Sequence, residues 1–118
     1  MTSDPIEITL SNIRPDRQLH YENYQVVSVV QALWGAITQN MVAISLNCAG
    51  ADVHLYFYLE DESPFDRKLV GEISEGLEAL QFTSVSISTH ITITGATLQT
   101  SQINGRLVYR RHEPQASA

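Results

Sequence analysis

The chain has 118 residues, of which 43% are hydrophobic and 17% are charged, and its formal net charge at pH 7 is −6. This length and composition predict a single globular domain over residues 1–118 and leave no room for a second one. The acidic balance, with only seven Lys and Arg residues, disfavours nucleic-acid binding because an acidic surface repels phosphate groups.

The two ends of the chain carry few structural signals. Residues 1–20 form an N-terminal segment in which residues 6–10 favour a short strand, and residues 112–118 are expected to form a frayed tail. No secretory leader precedes the first predicted element, and the most apolar run, residues 26–37, is too short to cross a bilayer. We therefore expect a cytoplasmic protein that makes no use of a membrane.

The next part of the chain predicts a helix followed by a β-hairpin. Apolar side chains recur at three- and four-residue steps over residues 21–37, which indicates a helix whose buried stripe includes Trp34. Apolar and polar residues then alternate over residues 41–49 and again over residues 53–60, which is typical of two half-buried strands. Gly50 lies in the turn that joins them.

Cys48 is the only cysteine, so a disulfide within the chain is excluded and a cysteine-ligated metal site is disfavoured. In the first predicted strand it shares a face with Val42, Ile44 and Leu46. We therefore expect a buried thiol that contributes to the core and has no chemical role.

A second helix and two further strands follow. Ser63 and Pro64 form a strong helix start, since serine caps a helix and proline suits its first position, and the apolar stripe extends to Leu80. Residues 83–94 alternate cleanly and predict a strand without charged side chains. Residues 106–111 predict the last strand.

These elements predict an α+β domain with the order α-β-β-α-β-β. Each strand has one apolar face and each helix one apolar stripe, so the economical arrangement is a two-layer sandwich. Its antiparallel sheet has four or five strands, both helices cover one face, and the other face is open. The uncharged strand over residues 83–94 is expected to be central, or else paired with a second chain as a homodimer, because an exposed edge of this kind promotes aggregation.

The open sheet face is one candidate site. It has three readings: a solvated face, an interface with a partner or a second copy, or the pocket of a small enzyme or ligand-binding protein. Two histidines fall short of the three or four ligands that zinc takes, and no nucleophile motif or glycine-rich phosphate loop is present, so we expect no metal, no cofactor and no catalytic residue. The residues that the predicted register gathers there are His54, Tyr56, Tyr58, Ser88 and His90.

Residues 60–78 hold most of the charge and form the second candidate site. Only Arg67 and Lys68 oppose seven acids, which gives this segment a net charge of −5. These acids either form the wet side of an amphipathic helix or bind a basic partner, and an acidic cluster at a strand end favours the partner. The predicted partner-binding residues are Glu60, Asp61, Glu62, Asp66, Glu72, Glu75 and Glu78.

Three stretches, in this order and spacing, carry a family resemblance. They are Ala-Leu-Trp-Gly-Ala-Ile-Thr-Gln-Asn over residues 32–40, Glu-Asp-Glu-Ser-Pro-Phe-Asp-Arg over residues 60–67, and Val-Tyr-Arg-Arg over residues 108–111. With them the chain resembles small bacterial immunity proteins of contact-dependent inhibition and colicin-type toxin systems. The resemblance implies a non-enzymatic cytoplasmic antidote that binds a cognate toxin domain, often a basic nuclease. That group shares no motif from which a functional residue transfers to this chain.

Overall fold

The computed structural model describes residues 15–81 and 85–112. Their elements confirm the predicted class and order, and are α1 (Pro15–Ala32), β1 (Met41–Ala49), β2 (Asp52–Leu59), α2 (Pro64–Ala79), β3 (Ser86–Ile93), a 3-10 turn (Thr100–Gln102) and β4 (Arg106–Arg110). The strand predicted at residues 6–10, Thr83 and Ser84 of the third predicted strand, and residues 113–118 of the tail lie outside the described residues.

The sheet is mixed, with the strand order β3-β2-β1-β4. β1 pairs antiparallel with β2 and with β4, whereas β2 and β3 run parallel. The parallel pair follows from α2, whose 16 residues span about 24 Å and so return the chain to the end of the sheet where β2 began. The prediction of a fully antiparallel sheet was therefore wrong, while the prediction of four strands with two helices was right.

The first helix is shifted towards the N-terminus relative to the prediction. α1 begins at Pro15, a residue that suits a first helical turn, and ends at Ala32 rather than near residue 37. Gly35, with φ of 78°, adopts the left-handed conformation that commonly follows a helix end. Because the helix stops early, Trp34 leaves the buried stripe and is 88% exposed, so its predicted core position was wrong.

Both helices pack on one face of the sheet, as predicted, and the main core lies between them. Burying each large apolar side chain contributes roughly 1.5–3 kcal/mol, so this layer carries most of the stability. Ile87 of β3 packs against this core, as its predicted face requires. The buried core residues are Val29 and Leu33 of α1, Met41, Ile44 and Leu46 of β1, Val53, Leu55, Phe57 and Leu59 of β2, and Val70, Ile73 and Leu77 of α2.

A bulge near the start of β1 changes the predicted face of Val42. Met41 pairs with Leu59 and Ala43 pairs with Tyr58, so one extra residue stands in β1. One extra residue moves the side chains before it to the opposite face. Met41 therefore joins the main core, and Val42, which was predicted beside Ile44, packs on the other face.

That other face is only half open. β3 and β4 are opposite edges of the sheet, so the segment that connects them, residues 94–105, must cross one face. Leu98 of this segment is buried against Val42 and Tyr58, and the Asn104 amide donates a hydrogen bond to the Tyr58 hydroxyl at 2.8 Å. The part of the face near the end of β2 is therefore a second small core.

Cys48 lies on the helix side of the sheet, partly buried against the main core. Burial, with a smaller contribution from the negative charge of Glu22, raises the pKa of the Cys48 thiol from 9.0 to about 11. The thiol is therefore protonated at neutral pH, which fits the packing role predicted for it.

β3 occupies an edge of the sheet, so the prediction of a central position was wrong. Within residues 15–81 and 85–112, β2 is its only strand partner. Its eight residues include no Lys, Arg, Asp, Glu or Pro, the residues that usually protect an edge from pairing with another chain. β4, at the opposite edge, carries Arg106 and Arg110.

We expect the unprotected edge of β3 to pair with the same edge of a second copy. Sedimentation should then detect a dimer, and Ser88→Lys or Thr92→Lys should raise its dissociation constant about tenfold, since like charges on facing strands repel. Ser101→Lys adds the same charge in the crossing segment and should leave the dimer intact. A protein that is monomeric at all concentrations would refute this expectation.

Candidate functional site

The start of α2 fixes the position of Asp66. The Ser63 hydroxyl caps the helix by accepting a hydrogen bond from the Asp66 amide at 3.1 Å. The Asp66 side chain is 2% exposed, and its carboxylate accepts hydrogen bonds from Thr38 Oγ1 at 3.0 Å and from Asn40 Nδ2 at 2.7 Å. This carboxylate therefore ties the chain before β1 to α2 and does not lie at the surface.

Two acids of the loop before α2 are already paired with arginines. Glu60 forms an ion pair with Arg111 at 2.8 Å. The Arg67 guanidinium donates hydrogen bonds to both carboxylate oxygens of Glu62, at 2.5 and 2.7 Å. These hydrogen bonds hold the pKa of Glu62 below its ordinary value. Part of the negative charge of residues 60–78 is thus offset inside the molecule.

The remaining four acids are exposed, and we call them the acidic surface. Asp61 lies in the loop, where its backbone amide donates a hydrogen bond to the Asn40 side chain at 2.9 Å. Those on α2 follow one another at three-residue steps, so neighbours stand side by side on the helix. Within the described parts of the chain, no ion pair involves the acidic surface, which consists of Asp61, Glu72, Glu75 and Glu78.

Four of the five residues predicted on the open face come together. His54 Nδ1 and His90 Nε2 are 3.0 Å apart, and the rings of Tyr56 and His90 stack with their centroids 4.8 Å apart. Ser88 is the pairing partner of His54 across β2 and β3. Tyr58 is separate, because the crossing segment buries it. Among the described residues, no three His, Cys, Asp or Glu side chains are placed to hold a metal ion.

An apolar groove lies on the helix side of the sheet, between the end of α1 and β4. Its volume is about 410 Å³. The pairing of β4 with β1 is irregular between Leu107 and Tyr109, which leaves Val108 and Tyr109 both at its wall. We call it the Trp34 groove, and its lining residues are Val30, Leu33, Trp34, Gly35, Ile37, Val108 and Tyr109.

Sequence reasoning missed this groove because helical periodicity assigned Trp34 and Ile37 to the core. Gly35 was the available signal, since a glycine after an apolar helical run often marks a helix end. With the helix ending at Ala32, both side chains lie in the turn and loop that follow, where Trp34 is almost fully exposed and Ile37 is partly exposed.

The groove and the acidic loop are adjacent. Ile37 lines the groove, and Asn40, three residues later and at most about 10 Å away, bonds to the loop. The Glu60 amide donates to the Asn40 carbonyl at 2.8 Å, and the Asn40 side chain donates to the Asp61 carbonyl at 2.8 Å. The groove therefore adjoins the loop that carries Asp61, whereas the acids of the second half of α2 lie further along that helix.

A protein-family model described as MafI2 immunity protein matches residues 22–113. The chain belongs to the MafI2 immunity protein family. The match begins within α1 and ends after β4, so it includes the Trp34 groove and the acidic surface. The resemblance to immunity proteins of toxin systems is thereby confirmed, and membership of the MafI2 family implies a cognate toxin as partner.

Among curated proteins, no sequence matches this chain. In the part of the chain that the structure describes, no helix combines the length and the apolar character that crossing a membrane requires.

Proposed function

We propose that this protein binds and neutralises a cognate toxin domain of basic charge in the cytoplasm, without catalysing a reaction. Membership of the MafI2 immunity protein family is the observation that carries this proposal. The acidic surface is the proposed docking region, with Glu60 and Glu62 at its border.

The charge distribution supports a basic partner. Lys68 is the only basic residue of α2 besides Arg67, which is engaged with Glu62. The exposed acids of the helix therefore repel one another and add little to the stability of the fold, whereas a cationic surface opposite them would offset that repulsion.

The buried position of Asp66 narrows the docking region. A carboxylate that is 2% exposed and hydrogen-bonded to Thr38 and Asn40 cannot reach a partner without unfolding of the loop. Asp66 instead stabilises the docking region, because its hydrogen bonds hold the segment that follows the groove against the start of α2.

Growth of cells that produce the toxin tests this function. The toxin domain to use is the one encoded beside the gene for this chain. Cells that produce the domain alone should stop growing, and co-production of this protein should restore growth. Failure of the protein to protect, at levels where it is folded and in excess over the domain, would contradict the proposal, as would a gene neighbourhood devoted to metabolism.

A further inference from the structure

We propose that the Trp34 groove anchors the toxin, holding an apolar side chain that basic residues of the toxin flank. This inference rests on the proposed function and adds to it a defined apolar contact. It assigns the binding energy chiefly to the groove and the speed of association chiefly to the acidic surface.

The exposure of the groove's apolar side chains is the first support. Val30 is 47% exposed, Trp34 is 88% exposed and Ile37 is 40% exposed, although they lie side by side. A covered tryptophan buries roughly 150–250 Å² of surface, and tryptophan is among the residues that most often dominate a binding interface. An apolar group of this size in water is typical of an interaction site.

The groove is also held in place before any partner arrives. Leu33 is 4% exposed in the core, its carbonyl accepts a hydrogen bond from the Ala36 amide at 2.8 Å, and its neighbour Trp34 points outward. Gly35 supplies the left-handed residue that the turn requires. Asp66 fixes the other end of the segment through Thr38. A fixed turn of this kind lowers the entropy that binding costs.

The charge around the groove decides its occupant. In the loop that adjoins the groove, Glu60 and Glu62 are paired with Arg111 and Arg67. The exposed Asp61 of that loop forms no ion pair in the described part of the chain, so whatever fills the groove meets one net negative charge at this side of the rim. A second copy of this acidic chain, or a membrane surface with anionic lipids, would be repelled there. A basic toxin domain with an exposed apolar side chain fits both features. The groove is already formed in this fold, so binding such a side chain needs no rearrangement.

The test compares variants in binding to the purified toxin domain encoded beside this gene. Trp34→Ala should weaken binding at least about thirtyfold, mainly through faster dissociation, since truncated anchor residues act on dissociation. Trp34→Phe should retain most of the affinity. Leu19→Ala is the matched control, because Leu19 is 53% exposed on α1 and about 22 Å from Trp34 along the helix axis, and it should change the affinity less than threefold.

The possible results distinguish the proposed role of the groove from the proposed immunity function. Trp34 is the only tryptophan of the chain. Subtracting the fluorescence of the Trp34→Phe complex from that of the native complex isolates the emission of Trp34, which should shift to shorter wavelengths on complex formation. Unchanged affinity of Trp34→Ala, with the native protein binding tightly, would overturn the groove and leave the immunity function standing. No binding by the native protein would overturn the function. A change in the sedimentation of free Trp34→Ala would instead assign the groove to a second copy and overturn the proposal.

Discussion

Replacing Asp66 with alanine is expected to lower the free energy of unfolding by about 3 kcal/mol. The carboxylate accepts hydrogen bonds from Thr38 and Asn40, which lie 28 and 26 residues away along the chain. Removing it leaves these two donors without their acceptor and leaves a small void at the start of α2. Urea unfolding followed by circular dichroism measures the change.

Glu72→Ala is the matched control for Asp66→Ala. Glu72 is an exposed acid of the same helix, and its replacement should change the free energy of unfolding by less than about 0.5 kcal/mol. Asp66→Asn keeps one acceptor oxygen and should fall between the two. Equal stability of Asp66→Ala and Glu72→Ala would show that Asp66 does not hold the loop.

Reversing the charge of the helix acids is expected to slow association with the toxin domain by about 10–100-fold at low salt. The triple variant Glu72→Lys, Glu75→Lys and Glu78→Lys brings the formal net charge from −6 to about zero. All three side chains are exposed, and a lysine at position 78 lies in the last turn of α2, where a positive charge favours the helix dipole, so the fold should remain intact. Stopped-flow fluorescence at two salt concentrations measures the rates.

A matched change of charge on the other face of the sheet separates local charge from overall charge. Thr97 and Ser101 are exposed in the crossing segment, on the face opposite the helices. The double variant Thr97→Lys and Ser101→Lys changes the net charge as much as Glu75→Lys does, yet it should slow association less than Glu75→Lys. Equal effects of the two variants would show that net charge alone, and no particular surface, controls the encounter.

The local features of the fold followed from the sequence because their causes are local. Alternation placed β1 correctly at residues 41–49, and the Ser63-Pro64 start placed α2 correctly. The direction of β3, the crossing segment and the end of α1 did not follow, because they depend on how distant elements pack. The alternating pattern of β3 is the same whether the strand runs parallel or antiparallel to β2, and whether it lies at the centre or at the edge.

In the candidate site, too, locally determined features followed from the sequence, and features that depend on distant residues did not. The acidic composition of residues 60–78 was evident in the sequence, but the sequence did not show which of these acids have partners within the molecule. Arg111, the partner of Glu60, lies just after β4, and Thr38, a partner of Asp66, lies before β1. The stacked His54, Tyr56 and His90 were correctly gathered on one face by the pleat alone. Trp34 was misplaced because a helical stripe and an exposed turn residue after the helix look alike until the end of the helix is known.

Titration of the purified protein into the purified toxin domain, with the activity of the toxin as readout, tests the central claim most directly. Activity should fall in proportion to the protein added and vanish when every toxin domain is bound, and added salt should slow the onset of inhibition. A toxin domain that keeps its full activity in the presence of excess folded protein would contradict the proposed neutralising role.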